Sequence, residues 1–234
     1  MAGTPSSVPS ESTSPPGPLH TYFEGNIEGP GIYKWTHYFE IYERHFARFR
    51  DKAVHVAEVG VYSGGSLRMW KWYLGNDARI TGIDIEPACR AYADDRTTIL
   101  IGDQGNRDFW RTFRDQRPKV DIFIDDGGHL PEQQIATLEE VLPHMAPGGV
   151  YLCEDIHGSP NAFSVYINAL AEALHTSTIR PTPDGGLATD ACPWQARVTS
   201  VHLYPFVAVL EMSAAARSGF EAVKRGTEWQ PFVM

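Results

Sequence analysis

Basic blocks are missing from this chain. Its 234 residues hold 20 Lys or Arg against 29 Asp or Glu, a formal net charge of −9. Nucleic-acid duplexes and anionic membranes are held by clustered positive charge, so neither is an expected partner. Cysteine is scarce too: Cys89, Cys153 and Cys192 stand apart with no Cys-x-x-Cys spacing. That argues against a disulfide framework or a thiolate zinc site, and fits a reducing, cytoplasmic setting. No apolar run approaches the roughly 18–20 residues that cross a bilayer. Residues 1–18 are rich in Ser, Pro, Thr and Gly and lack the basic start and apolar h-region of a secretory signal. They bury too little to order themselves and are expected to be a disordered tail. No internal repeat is visible.

What is present supports one domain with a full core. In residues 31–50, Trp35, Phe39, Tyr42, Phe46 and Phe49 recur at spacings of three and four. That period predicts one helical face covering a sheet, within an N-terminal helical or lid segment over 19–52. Tyr33, Lys34 and His37 at its start are placed to reach a ligand. From residue 53 onward strand and helix signals alternate. Strands are predicted over 54–59, 79–83, 97–102, 120–124, 150–153, 198–203 and 206–212, and helices over 66–73, 107–114, 132–141 and 163–174. Such alternation implies an α/β fold, a mostly parallel sheet with helices on both faces. The last two strands share a short connector and should pair antiparallel. Residues 175–197, with the turn-rich run from Pro181 to Gly186, look like a mobile loop of the kind that gates a site.

The first strand runs into Glu58-Val59-Gly60-Val61-Tyr62-Ser63-Gly64-Gly65-Ser66, which then opens a helix. Glycines there let backbone approach a ligand, and the helix N-terminus offers free N–H groups. Tyr62 in the middle position breaks the Gly-x-Gly-x-x-Gly spacing, which disfavours a dinucleotide pyrophosphate. Asp84 ends the next strand, where an acid accepts hydrogen bonds from a ribose diol; its alternative is a helix cap ahead of Pro87. Asp103-Gln104 at the third tip suits an adenine edge, or else an ordinary Asx turn. Asp125 completes the row at the fourth tip. The order Glu58-x-Gly60, Asp84, Gly102-Asp103, Asp125, followed by Pro147-Gly148-Gly149, resembles class I S-adenosylmethionine-dependent methyltransferases. The resemblance spans 54–212 and implies a Rossmann-like, seven-stranded sheet with one antiparallel strand. It carries the expectation that Glu58, Gly60, Tyr62, Ser63, Ser66, Asp84, Asp103, Gln104 and Asp125 bind the cofactor.

Two apolar strands also stop abruptly on acidic pairs, Asp125-Asp126 and Glu154-Asp155. Several carboxylates brought together in a low dielectric require a cation. The tripeptide Gly127-Gly128-His129 follows the first pair. Together these segments resemble metal-dependent sugar O-methyltransferases of antibiotic biosynthesis, of the mycinamicin and tylosin type, and cephalosporin-pathway relatives. The resemblance implies Mg2+ held by Asp126, Glu154 and Asp155, with His129 as catalytic base. The usual Asp-Gly-Ser-His is Asp-Gly-Gly-His here.

Elementary chemistry agrees. A sugar hydroxyl is a poor nucleophile while protonated. Magnesium takes oxygen ligands and leaves places for substrate oxygens, lowering the pKa of a bound hydroxyl. Imidazole, titrating near about 6.5, is a suitable proton acceptor. Bland alternatives stand beside each: Glu154-Asp155 as a helix cap, His129 as a satisfied loop histidine. His157 is a possible outer partner of the metal ligands; calcium or manganese would also satisfy an all-oxygen site. Trp35 and Trp194 either stack on an acceptor or pack in the core. The expected activity is methyl transfer to a hydroxyl of a sugar or polyhydroxylated natural product. The competing expectations are a catechol-like acceptor and a non-catalytic cofactor-binding partner protein. Against the catechol reading, no lysine flanks Asp126. Related sugar enzymes form oligomers, so the resemblance also carries the expectation of a homo-oligomer.

Overall fold

The computed structural model describes residues 15–227. Of the expected tail, residues 1–14 lie outside the described residues, and Pro18 already opens the first helix.

Seven strands form one sheet: β1 (His55–Val59), β2 (Arg79–Asp84), β3 (Thr97–Ile101), β4 (Val120–Asp125), β5 (Met145–Cys153), β8 (Val198–Tyr204) and β9 (Val207–Met212). Their order is β3-β2-β1-β4-β5-β9-β8. β9 runs antiparallel to both its neighbours, and every other pairing is parallel. The sheet expected from sequence is therefore present, with one reversed strand. β1 is buried at every position because it lies inside the sheet with both faces covered.

The two-residue strand period sorts side chains between two cores. Val56, Ile122, Ile124 and Leu152 face α1 (Pro18–Gly25), α2 (Tyr38–Phe46) and α3 (Gly65–Leu74), whose Tyr42, Phe46 and Trp70 fill that side. Ala57, Phe123, Tyr151 and Leu210 face α4 (Arg107–Gln116), α5 (Pro131–Val141) and α6 (Ala162–Ala173), which supply Trp110, Leu138 and Ile167.

Two expectations are corrected. The aromatic period does not carry a helix from residue 31. Residues 31–35 have no regular structure, α2 starts at Tyr38, and a 3-10 turn follows over Ala47–Phe49. Phe39, Tyr42 and Phe46 are buried as predicted, but Trp35 is 48% exposed. Nor is 175–197 a bare loop. It holds β6 (Arg180–Pro181), β7 (Leu187–Asp190) and α7 (Pro193–Arg197), and β7 pairs with β10 (Gly219–Ala222) in a small antiparallel sheet. The Gln195 amide ties this unit down by donating to the Leu174 and Thr176 carbonyls. The signal was hidden because each strand has four residues or fewer.

Candidate active site

Strand order reverses between β1 and β4, and open α/β sheets bind ligands in the crevice beyond the carboxyl ends at such a point. A cavity of about 620 Å3 lies there. The loop after β1 forms one wall. Gly60 adopts φ +91°, and a Cβ on it would overlap the Asp126 carbonyl oxygen. Glycine therefore lets the β1 and β4 tips close on one another. The backbone N–H groups of Val61 and Tyr62 donate to Asp84 Oδ2 at 2.9 and 3.0 Å, and Glu86 N–H donates to Oδ1 at 2.9 Å. Partial burial pushes the Asp84 carboxyl up, but these three bonds outweigh it and hold it below the usual range. Asp84 thus shapes the loop while lining the cavity, and the cap ahead of Pro87 is Glu86, whose side chain accepts from Ala88 N–H. Gly60, Tyr62, Ser63, Ser66, Asp103 and Gln104 line it too. Ser66 spends its hydroxyl on Glu58. Asp103 makes the Asx turn to Gly105 N–H, and Gln104 is tied to the loop beneath.

Glu58 and Asp125 are corrected: neither lines the cavity. Glu58 is fully buried under α3, where Ser66 Oγ and Trp70 Nε1 donate to its Oε2 at 2.8 and 3.1 Å. Asp125 is 1% exposed and faces the opposite core. It accepts from Gln104 Nε2 at 2.8 Å and Tyr151 Oη at 3.1 Å, and Gln104 Oε1 accepts from Gly128 N–H at 2.6 Å. Asp125 is an anchor under the Gly127-Gly128 turn. Burial pushes its carboxyl up to about 7 against the pull of Gln104, Tyr151 and Gly127 N–H.

The folded state therefore keeps this proton to about pH 7, whereas the unfolded chain releases it near about pH 4. Stability should fall as pH rises through roughly 4–7 and level off above. Glu58, also pushed up to about 7 by burial, adds with the same sign. Asp125→Asn should flatten part of this slope in urea denaturation at pH 4.5, 6 and 8. An unchanged slope would mean that Asp125 is already ionised in the fold.

Beside the cofactor-type wall stand the other acids. Lys34 lies between them. Its Nζ is 2.5 Å from Asp126 Oδ2, 2.8 Å from Glu154 Oε2 and 3.9 Å from Glu58 Oε1. The side chain is 3% exposed. Burial alone would lower its pKa, but Asp126, Glu154 and Glu58 outweigh burial and hold it above the ordinary lysine value. Glu154 is fully buried, with its second oxygen accepting from Tyr42 Oη at 2.7 Å. Burial, and Asp126 nearby, push its carboxyl up. Asp155 Oδ1 accepts from Tyr38 Oη at 2.7 Å and Trp35 Nε1 at 3.1 Å. Its Oδ2 faces His129 Nε2 at 3.7 Å, and His157 Nε2 lies 3.3 Å from Oδ1.

Backbone strain concentrates here: Tyr62, His129 and Asp155 take φ of +47°, +57° and +54°, and such residues cluster at functional sites. Trp35, His157 and Phe206 form an aromatic group beside Asp155, with ring centroids 5.1–6.1 Å apart. Trp194 instead packs against the second core.

Of the expected metal set, the structure brings Asp126 and Asp155 together with His129, with one ligand-capable atom of each lying within 4.8 Å of the others. Glu154 adjoins Asp126 through Lys34. The donors are hard oxygens with excess negative charge, and one Glu58 oxygen is buried without a hydrogen-bond partner. That chemistry fits a divalent cation of the magnesium class.

No lysine flanks Asp126 in the sequence, but Lys34 reaches it from 92 residues away. Sequence reasoning noticed Lys34 but not its carboxylate partners, and it missed Tyr38, Tyr42 and Phe206. The available signal was the acid cluster's demand for a cation.

A sheet of this order, a glycine-bent loop after β1 and a cavity at the switch point make a Rossmann-like fold with a ligand-binding crevice. Residues 57–156 match the Methyltransf_24 family model, a methyltransferase domain. The chain is 32% identical over 208 residues to an 8-demethyl-8-alpha-L-rhamnosyl tetracenomycin-C 2'-O-methyltransferase of Streptomyces olivaceus, covering 81% of this chain and 53% of that protein. It is 35% identical to a mycinamicin VI 2''-O-methyltransferase of Micromonospora griseorubida, covering 49% of this chain and 30% of the relative. The chain thus spans about half or less of the curated relatives it matches. The fold is similar to MycE methyltransferase of the mycinamycin pathway, solved with Mg, SAH and mycinamycin VI: TM-score 0.69, 24% identity, 83% of this chain and 53% of that one. Among the described residues, no helix is long and apolar enough to cross a membrane.

Proposed function

We propose that the chain is an S-adenosylmethionine- and Mg2+-dependent O-methyltransferase acting on a sugar hydroxyl of a glycosylated natural product. The observation that carries this reading is the placement of His129, Asp126 and Asp155 on the rim of the same cavity that Gly60, Tyr62, Asp84 and Asp103 line. The named relatives methylate sugars of antibiotics, which supports the substrate class.

The Gly60–Gly64 loop and the exposed Asp103 receive the cofactor's nucleoside and amino-acid parts, and Asp84 takes the ribose diol. Magnesium, when bound, supplies Lewis acidity that lowers the pKa of an acceptor hydroxyl. Asp126 and Asp155, with Glu154 behind them, are the oxygens that would hold it. His129 takes the hydroxyl proton at Nε2, and Asp155 Oδ2 holds the imidazolium that results. Trp35 and Phe206 offer half-exposed aromatic faces to the sugar or its aglycone.

The catechol reading is not favoured. Lys34 is 3% exposed and ion-paired with Asp126 and Glu154, whereas His129 is 39% exposed and lines the cavity.

Incubation with S-adenosylmethionine and a panel of glycosylated polyketides and catechols tests the proposal, with S-adenosylhomocysteine release as readout. Turnover on sugars alone, abolished by EDTA and restored by Mg2+, is expected. Full turnover in excess EDTA sinks the metal role, and catechol preference sinks the acceptor class. Cofactor binding without turnover on any acceptor would point to the partner-protein reading.

A further inference from the structure

The acid cluster already contains a cation. Lys34 Nζ lies 2.5 Å from Asp126 Oδ2 and 2.8 Å from Glu154 Oε2. A magnesium ion binds such oxygens at about 2.0–2.1 Å. An ion on these two atoms would occupy the ammonium's own place, and two cations that close repel strongly in a low dielectric. One ammonium is also too little charge for the surroundings. Glu58, Asp126, Glu154 and Asp155 all approach it or each other, and Glu58 Oε1, fully buried, has no hydrogen-bond partner.

Lys34 belongs to the stretch 31–35, which has no regular structure and walls the cavity. Two contacts fix that wall besides Lys34. Trp35 Nε1 donates to Asp155 at 3.1 Å. The Gly31 backbone presses on Gly65 so closely that a Cβ there would overlap the Gly31 carbonyl oxygen. Moving the ammonium away from Asp126 and Glu154 therefore removes one of the three contacts that hold the wall.

We propose that Lys34 is a tethered cation standing in for the divalent ion at Asp126 and Glu154, so that ion entry and Lys34 withdrawal are one exchange that loosens the 31–35 wall. The proposal rests on the metal-dependent reading above. In the metal-free protein Lys34 keeps the carboxylates assembled and the wall closed. When an ion is bound, Asp126, Glu154 and Asp155 are the carboxylates that would hold it, and the 31–35 wall would lose its Lys34 tether. Lys34 is here a positioning residue, not a proton acceptor.

The test is Mn2+ binding to the full chain, read from the electron paramagnetic resonance of free Mn2+, in the wild type and in Lys34→Met. Removing a competing unit charge should tighten binding on the order of tenfold or more. Circular dichroism checks the fold, and Lys34→Gln replaces Lys34→Met if the latter does not fold. Hydrogen exchange of amides 31–36 in the wild type gives an independent readout, and saturating Mn2+ should speed it. Equal or weaker Mn2+ binding by the folded variant overturns the exchange, and so does wild-type exchange that Mn2+ leaves unchanged. Both outcomes leave the metal-dependent reading standing. If neither protein binds Mn2+ while both still bind S-adenosylmethionine, that reading falls and the exchange with it.

Discussion

Replacing His129 with alanine is expected to lower methyl transfer by roughly 10^2- to 10^4-fold, the usual worth of a positioned general base, while S-adenosylmethionine binding measured by calorimetry stays close to wild type. The geometry separates the two effects. The imidazole is 39% exposed, and its ion-pair contact with Asp155 Oδ2 is long, at 3.7 Å, so little of the fold depends on it. The proposed cofactor-side residues lie on other elements: the loop after β1, Asp84 on β2 and Asp103 after β3. The loss should fall on kcat more than on KM, because a base acts in the transition state and not in binding. The backbone supplies a second comparison. His129 sits at φ +57°, which costs an L-residue on the order of 1–2 kcal/mol. His129→Gly should therefore be at least as stable as wild type toward urea and just as inactive. Stability gained while activity is lost would mark strain held for function. Near-normal turnover in His129→Ala would remove the proposed base and leave the proton to water.

The fold was legible because its signals are redundant. The buried strands of the main sheet read as apolar runs, and the reversed strand followed from the short Tyr204-Pro205 connector. The small sheet of β6, β7 and β10 was not legible, since strands this short carry no periodic signal. The site was legible by type more than by direction. Adjacent residues at a strand tip point to opposite faces, so Asp125 and Asp126 were never able to serve one pocket together. Asp125 follows Phe123 into the core of α4 and α5, while Asp126 turns to the cavity. The same alternation puts Glu58 beneath α3 with Val56. Counting strand positions forward from Phe123 would have placed Asp125 in the core, whereas Glu58 shares its face with Ile124 and lies one position short of the strand tip. Lys34 was harder: its partners lie 92 and 120 residues away, and nothing local signals that distance.

Gly60→Ala is expected to be the most damaging single-methyl change in the site. At φ +91° an alanine enters a region of backbone space nearly reserved for glycine, at a cost of about 1–3 kcal/mol. Its Cβ would also overlap the Asp126 carbonyl oxygen, with the carbonyl carbon 2.7 Å and Gly127 N 3.3 Å away. These are backbone atoms with no rotamer to escape into, so the strands must part, adding about 1–3 kcal/mol of overpacking. The bond from Asp126 N–H to the Val59 carbonyl at 3.1 Å would go first. Asp126 carries the Lys34 contact and precedes the His129 turn, so cofactor affinity and activity should fall together with stability. An unfolding free energy from urea denaturation lowered by a total of roughly 2–6 kcal/mol at unchanged m-value is the expected result, a large share of a typical domain's stability of about 5–15 kcal/mol. Gly25→Ala is the control: its Cβ would meet nothing within 4 Å, and alanine at the end of α1 should cost nothing. If Gly60→Ala melts like Gly25→Ala and still binds S-adenosylmethionine, the close approach of the β1 and β4 tips does not govern the site.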